Sequence, residues 1–232
     1  MFGTNPVRKP DYASDTLWVQ KVFRTIQGEG PLAGCPAIFV RLAGCNLRCW
    51  FCDTDFESSD AHLSVDQLLD EINALRMRRA INLVVLTGGE PLRQNIAPLA
   101  RRLFEQGVYV QVETAGIIWP PDLAPQLVHI VCSPKTGKLH PYIIEHCTDY
   151  KYIVKAGEQD PLDGLPMLST QLRGETNHLA RPPVSEDITV WVQPMDEGDP
   201  VRNKLNEQAC LDACYRFGYQ FSFQVHKAIG VE

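Results

Sequence analysis

No stretch of the 232-residue chain is long and apolar enough to span a bilayer, which excludes a helical membrane protein. The first fifteen residues, MFGTNPVRKPDYASD, are polar and proline-containing. They lack the apolar stretch and small-residue cleavage site of a secretory signal. A cytoplasmic protein with reduced cysteines is therefore expected. Positive charge is not in excess either: 22 Lys and Arg against 28 Asp and Glu give a formal net charge of −6. A general nucleic-acid-binding surface is not expected on that balance, which still leaves room for a local basic pocket for a small anion. Internal repeats and low-complexity tracts are absent. Hydrophobic residues make up 44% of the chain, enough for a core without staples, so one domain over residues 1–232 is expected.

Short apolar runs rich in β-branched and aromatic residues read as buried strands: LWVQKVF from Leu17, AIFVRL from Ala37, LVVLT from Leu83, VYVQVET from Val108, LVHIVCS from Leu127, YKYIVK from Tyr150 and ITVWVQP from Ile188. FSFQVH from Phe221 is a further candidate. Helical patterns lie between them, over Ser64–Arg79, Gln94–Gln106 and Lys204–Phe217. Ser64 and Gln67 form a capping-box signature, and Gly107 and Gly218 stand as stops. Strands alternating with helices predict an α/β fold with a mostly parallel sheet. Some connections lack room for a long helix, so an abbreviated βα barrel fits better than a complete one. The polar, Pro- and Gly-rich stretch 157–187 reads as a surface insertion or lid.

Eight cysteines in a reducing setting need an explanation other than disulfides. Three of them, Cys45, Cys49 and Cys52, form C-x3-C-x2-C in GCNLRCWFCDTDF, directly after a strand. Thiolates are soft ligands for iron–sulfur clusters or zinc. Three in a tight loop can hold three corners of an iron–sulfur cube and leave one iron open to the amino and carboxylate groups of S-adenosylmethionine. A structural zinc normally takes four protein ligands, and Cys35 is available as a fourth, so a zinc-stabilised binding module remains an alternative. Cys35, Cys132, Cys147, Cys210 and Cys214 are scattered and read as small buried hydrophobes.

TGGEP, Thr87 to Pro91, ends a strand and precedes a helix. Taken by itself it is a plain strand-to-helix turn. Following the cysteine triad, with Trp50 and Phe51 before its last member, it resembles the radical S-adenosylmethionine superfamily. That resemblance implies a full or partial βα barrel with a 4Fe–4S cluster loop after the first strand. It also implies that Gly88, Gly89 and Glu90 meet the cofactor's methionine amino group. Glycine lets backbone approach a ligand closely, and a carboxylate accepts a charge-assisted bond from an ammonium.

From about Val22 to the C-terminus, interrupted mainly by the stretch 157–187, the chain is similar to the 7-carboxy-7-deazaguanine synthase family. The shared stretches are FRTIQGEGPLAGCPAIFVRLAGCNLRC, FCDTDF, LTGGEPL, VETAG, VCSPKTGK, WVQPMD and QVHKAIGVE. The resemblance implies a lyase converting 6-carboxy-5,6,7,8-tetrahydropterin to 7-carboxy-7-deazaguanine with loss of ammonia, in queuosine and deazapurine biosynthesis. It further implies Mg²⁺, a homodimer and a low-potential donor such as a flavodoxin. On the matching positions, Ile26, Gln27, Gly28 and Glu29 hold the pterin, Arg41 grips its carboxylate, and Thr87 and His226 touch substrate. Thr54 ligates Mg²⁺. Ser133, Pro134 and Lys135, then Gln193, Pro194, Met195 and Asp196, form cofactor-binding strand ends, with Glu113 as another cofactor-facing residue. The last residue, Glu232, is positioned to offer its terminal carboxylate to substrate. No acid–base pair is assigned, because cluster and cofactor carry the chemistry. The alternative enzyme is a radical activase acting on a glycine of a partner protein, which would share the cysteines and TGGEP but not need Gln27, Arg41 and His226 to gather a pterin.

Overall fold

The computed structural model describes residues 5–52, 54–57, 61–77, 80–171 and 178–231. Among the described residues nine strands form one sheet in the order β3-β1-β2-β4-β5-β6-β7-β8-β9. They are β1 (Thr16–Ile26), β2 (Pro36–Leu42), β3 (Ala61–Ser64), β4 (Leu83–Gly88), β5 (Tyr109–Thr114), β6 (His129–Cys132), β7 (Asp149–Val154), β8 (Thr189–Pro194) and β9 (Gln220–Phe221). From β2 to β9 every pairing is parallel. β1 runs antiparallel to both β2 and β3 at one edge. The sheet is mixed and mostly parallel, in keeping with an abbreviated barrel.

Helices α1 (Val65–Leu75), α2 (Ala97–Glu105), α3 (Pro141–His146) and α4 (Pro200–Phe217) occupy crossovers, and α5 (Val225–Ile229) follows β9. α1 starts as expected. The Ser64 hydroxyl accepts from the Gln67 amide at 3.2 Å, and the Gln67 side chain accepts from the Ser64 amide at 2.9 Å. α2 begins three residues later than its periodicity suggested, because Gln94 is committed elsewhere. Its side chain accepts from the Trp18 amide at 2.7 Å and donates to the Ala43 carbonyl at 3.2 Å, tying β1 to the end of β2.

The period of two along each strand sorts the side chains. Ile38, Val40 and Leu42 of β2, Val84 and Leu86 of β4, Val110 and Val112 of β5, Tyr150 and Tyr152 of β7 and Val192 of β8 face the helices. They join Leu68 and Ile72 of α1, Leu99 and Leu103 of α2, and Cys210 of α4 in the main core. The alternate positions face the other way, and those near the strands' C-terminal ends carry polar groups.

Two expectations change. FSFQVH is not a strand: only Gln220 and Phe221 pair with β8, and His226 lies on the short helix α5. Ser222 ends the ladder by donating its hydroxyl to the Gln193 side chain at 3.0 Å while accepting from the Gly30 amide at 3.0 Å. The stretch 157–187 is not a mere surface insertion. Leu165 and Leu179 are buried in the main core on either side of residues 172–177. Arg181 bridges to Asp163 at 2.6 Å, and the Tyr152 hydroxyl donates to the Ala180 carbonyl at 2.8 Å. Backbone bonds such as Met167 amide to Glu158 carbonyl at 3.2 Å and Leu179 amide to Met167 carbonyl at 2.9 Å complete the pairing of this stretch.

Candidate active site

The polar alternate positions converge on one cavity of about 580 Å³ at the C-terminal ends of the parallel strands, where α/β sheets commonly bind ligands. Phe39 and Arg41 of β2, Thr87 of β4, Glu113 of β5, Val131 of β6, Lys151 and Ile153 of β7 and Gln193 of β8 line it. Cys45, Cys49 and Cys52 all open into it from the loop after β2, with Thr54 and Asp55 beside them. Cys35 does not line it; it packs near Ala37 and Val85 on a small separate apolar cluster.

Among the described residues no group of three or more His, Cys, Asp or Glu side chains is gathered tightly enough to hold a single metal ion. The donor set suits a cluster, whose corners are spaced more widely than the ligands of one ion. Three soft thiols face a shared space, and the remaining lining is built for a small molecule. Burial pushes the Cys45 thiol up, with the buried Glu90 carboxylate adding to the effect, so loss of its proton needs a cation such as iron to stabilise the thiolate.

Gly88 and Gly89 line the cavity, but their missing side chains have an internal cause. A Cβ on Gly88 would lie 2.0 Å from the Leu42 carbonyl oxygen, and one on Gly89 would lie 2.2 Å from that of Gly44. The Gly89 amide donates to Leu42 at 3.2 Å and the Glu90 amide to Gly44 at 3.0 Å. TGGEP thus clamps the cysteine loop onto the end of β4. Glu90 is buried and does not line the cavity. Its carboxylate accepts from the Leu92 amide at 3.0 Å, the Thr114 hydroxyl at 2.8 Å and the Ala115 amide at 2.8 Å. Burial raises its pKa against the pull of these bonds.

On the pterin-facing side expected from sequence, Ile26, Gln27 and Glu29 line the cavity and Gly28 does not. Gly28 instead makes room for His226: a Cβ there would lie 1.9 Å from the imidazole Nδ1. Its carbonyl accepts from the Val225 amide at 3.0 Å, which docks α5 and brings His226 to the cavity. Glu113 accepts from Gln27 Nε2 at 3.0 Å and from the Thr87 hydroxyl at 3.3 Å. The Arg41 guanidinium lies 5.1 Å from the centre of the Phe23 ring, a cation–π contact.

Ser133 and Lys135 line the cavity, whereas Pro134 does not. The Lys135 ammonium donates to the Ser133 carbonyl at 2.9 Å and to the Ser133 hydroxyl. Gln193, Pro194, Met195 and Asp196 all line it. Asp196 accepts from Lys227 at 2.8 Å, from the Gly198 amide at 3.0 Å and from Asn203 at 2.9 Å, and these bonds hold its carboxyl near pH 2. Glu232 falls outside the described residues.

Lys151 is the main residue that the pattern reading missed. It is a buried cavity-lining ammonium paired with Glu29, which also accepts from Gln224 Nε2 at 2.8 Å. Burial would raise Glu29, but Lys151 and Gln224 outweigh it and bring its pKa to about 2. The signal was a lysine inside the apolar run YKYIVK: a charge at an alternate position of a buried strand needs a partner or a ligand.

Residues 40–132 match the Radical SAM superfamily. The chain is 48% identical over 237 residues to the 7-carboxy-7-deazaguanine synthase of Rhodospirillum rubrum, with 100% of both proteins covered. It is 39% identical over 244 residues to the 7-carboxy-7-deazaguanine synthase of Rickettsia prowazekii, covering 100% of this chain and 96% of the relative. The fold is similar to that in the crystal structure of QueE from Escherichia coli, with a TM-score of 0.64 over 91% of this chain and 95% of the other. At 24% identity that likeness is one of fold.

Proposed function

Because the chain belongs to the 7-carboxy-7-deazaguanine synthase family within the radical S-adenosylmethionine superfamily, we propose that its cavity takes 6-carboxy-5,6,7,8-tetrahydropterin and releases 7-carboxy-7-deazaguanine and ammonia. The product enters queuosine and deazapurine biosynthesis. The reaction balances without an external oxidant, since the product is the substrate less one ammonia. Membership implies a 4Fe–4S cluster and S-adenosylmethionine, and Cys45, Cys49 and Cys52 are the residues that would hold the cluster. When bound, cluster and cofactor supply the one-electron chemistry that starts the reaction.

The observation that carries this reading is the position of Arg41. It lies on the cavity face of β2, whose end leads straight into the cysteine loop. A guanidinium there suits a carboxylate-bearing substrate held beside the cluster. Gln27, Glu29, Thr87 and His226 supply further polar contacts to the pterin. Glu113, already steadied by Gln27 and Thr87, offers its remaining acceptor sites to ligand N–H groups. Ser133, Lys135, and Gln193 to Asp196 form the opposite wall for the cofactor. Gly88 and Gly89 line the cavity next to the cysteine loop, and the Gly89 and Glu90 amides hold the end of β2 and the start of that loop in place.

Thr54 and Asp55 bring hard oxygen donors to the cavity edge, which suits Mg²⁺ completed by substrate oxygens and water. The reading extends to a flavodoxin-like electron donor, a homodimer and a cytoplasmic setting, all three resting on the resemblance. Among the described residues no helix is long and apolar enough to cross a membrane.

Equilibrium binding of the carboxylated pterin and of the same tetrahydropterin lacking the carboxylate tests the reading. The carboxylated form is expected to bind at least about tenfold more tightly, the worth of one charge-assisted contact. Equal affinity would contradict the role given to Arg41.

A further inference from the structure

We propose that Thr170 and Gln171, from the stretch that sequence suggested was an insertion, are positioning residues that donate hydrogen bonds to the Cys49 sulfur and raise the reduction potential of the cluster. This rests on the assignment of Cys49 as a cluster ligand. The Thr170 hydroxyl lies 3.1 Å from Cys49 Sγ and Gln171 Nε2 lies 3.4 Å from it, across more than a hundred residues of sequence. Neither residue lines the cavity, so both reach the sulfur from outside it.

Their placement is fixed by backbone. The Thr170 amide donates to the Lys135 carbonyl at 3.0 Å, and the Trp50 amide, next to Cys49, donates to the Thr170 carbonyl at 3.1 Å. The Gln171 side-chain oxygen accepts from the Arg48 amide at 3.0 Å, which turns the amide nitrogen toward the sulfur. Residues 170 and 171 therefore grip the cysteine loop on both sides of Cys49.

The Thr170 hydroxyl also lies 3.3 Å from the Lys135 carbonyl, and it has one hydrogen to give. Once Cys49 is a thiolate, the charged sulfur outcompetes the neutral carbonyl. Gln171 Nε2 also lies 3.4 Å from the Thr170 hydroxyl oxygen, so the two donors sit side by side on the same sulfur. An added electron makes the cluster and its thiolates more negative. Donors aimed at a ligand sulfur stabilise the reduced state more than the oxidised one, so the potential rises.

The test is an anaerobic redox titration of the reconstituted holoprotein by electron paramagnetic resonance, with iron and sulfide measured alongside. Thr170→Val keeps the shape and removes the hydroxyl; Thr170→Ser keeps the hydroxyl; Gln171→Leu removes the second donor. Thr170→Val and Gln171→Leu are expected to titrate at lower potential than wild type, and Thr170→Ser at the wild-type value. A Val variant that loads no cluster while the Ser variant loads fully also supports the hydroxyl's role. Unchanged potentials in Val and Leu, equal shifts in Ser and Val, or loss of cluster from both would overturn the proposal. A wild-type protein that takes up no iron and sulfide would overturn the ligand assignment, and this proposal with it.

Discussion

Gly89 packs against Gly44 so closely that a Cβ on it would lie 2.2 Å from the Gly44 carbonyl oxygen and 2.9 Å from the Cys45 Cβ. The contact is backbone on backbone, with no flexible side chain to yield. Gly89→Ala must therefore push the cysteine loop away from β4. The expected cost is about 1–3 kcal/mol of stability, typical of overpacking. Reduced iron incorporation should accompany it. Urea unfolding of the metal-free variant and iron content after reconstitution check both. A variant with wild-type stability and full iron content would show that the clamp does not matter.

Cys45, Cys49 and Cys52 share the cavity, and Cys35 sits outside it. Serine at any of the three should abolish a stable, reducible cluster, whereas Cys35→Ser should load normally. Iron and sulfide analysis of anaerobically purified variants measures this. A normal cluster in a triad variant, or loss of the cluster in Cys35→Ser, would refute the assignment. Zinc in place of iron would favour a zinc-stabilised binding module.

Arg41→Ala should weaken binding of the carboxylated pterin by about tenfold or more, since a charge-assisted bond contributes roughly 1.5–3 kcal/mol. Lysine should rescue only part, because it keeps the charge and lacks the planar fork. Uncoupled cleavage of S-adenosylmethionine should persist in both variants, as the cysteine loop is untouched. Calorimetric titration with the pterin gives the affinities, and unchanged affinity in Arg41→Ala would remove Arg41 from the substrate site.

The Glu29–Lys151 pair makes stability depend on acid. Glu29 has a folded pKa of about 2, below its ordinary 4.5. Its ionised form therefore stabilises the fold above pH 4.5, and that contribution is lost as pH falls from 4.5 towards 2. Glu29→Gln should flatten this part of the stability profile. At neutral pH it should also destabilise the fold by about 1–3 kcal/mol, because a charge-assisted bond to the buried Lys151 ammonium is replaced by a neutral one. Chemical denaturation across that range measures both effects; an unchanged acid slope in Glu29→Gln would contradict them.

The strands of the parallel sheet were legible because each is a short apolar run whose alternate positions meet either helices or the cavity. The same alternation put Arg41, Thr87 and Glu113 on one face. Local pattern failed where tertiary bonds decided the outcome. Gln94 looked helical but is spent on Trp18 and Ala43. FSFQVH looked extended, but Ser222 turns the chain into α5. The stretch around Thr170 looked like an insertion because its polar groups pair with Lys135, Trp50 and Cys49, partners that no local window contains. TGGEP was found by pattern. Its packing against the cysteine loop was not, since a glycine gives no sign in sequence of which backbone it lies against.

The central claim, that this cavity converts a carboxylated pterin, is tested most directly by anaerobic turnover. The cluster-loaded protein is supplied with S-adenosylmethionine, Mg²⁺, a low-potential reductant and 6-carboxy-5,6,7,8-tetrahydropterin, and the products are followed by mass. A species equal to the substrate less one ammonia, formed repeatedly per cofactor and needing Arg41, is the expected result. An unchanged pterin in the presence of an intact, reducible cluster that cleaves S-adenosylmethionine would contradict the account and direct the search to a partner protein's glycine.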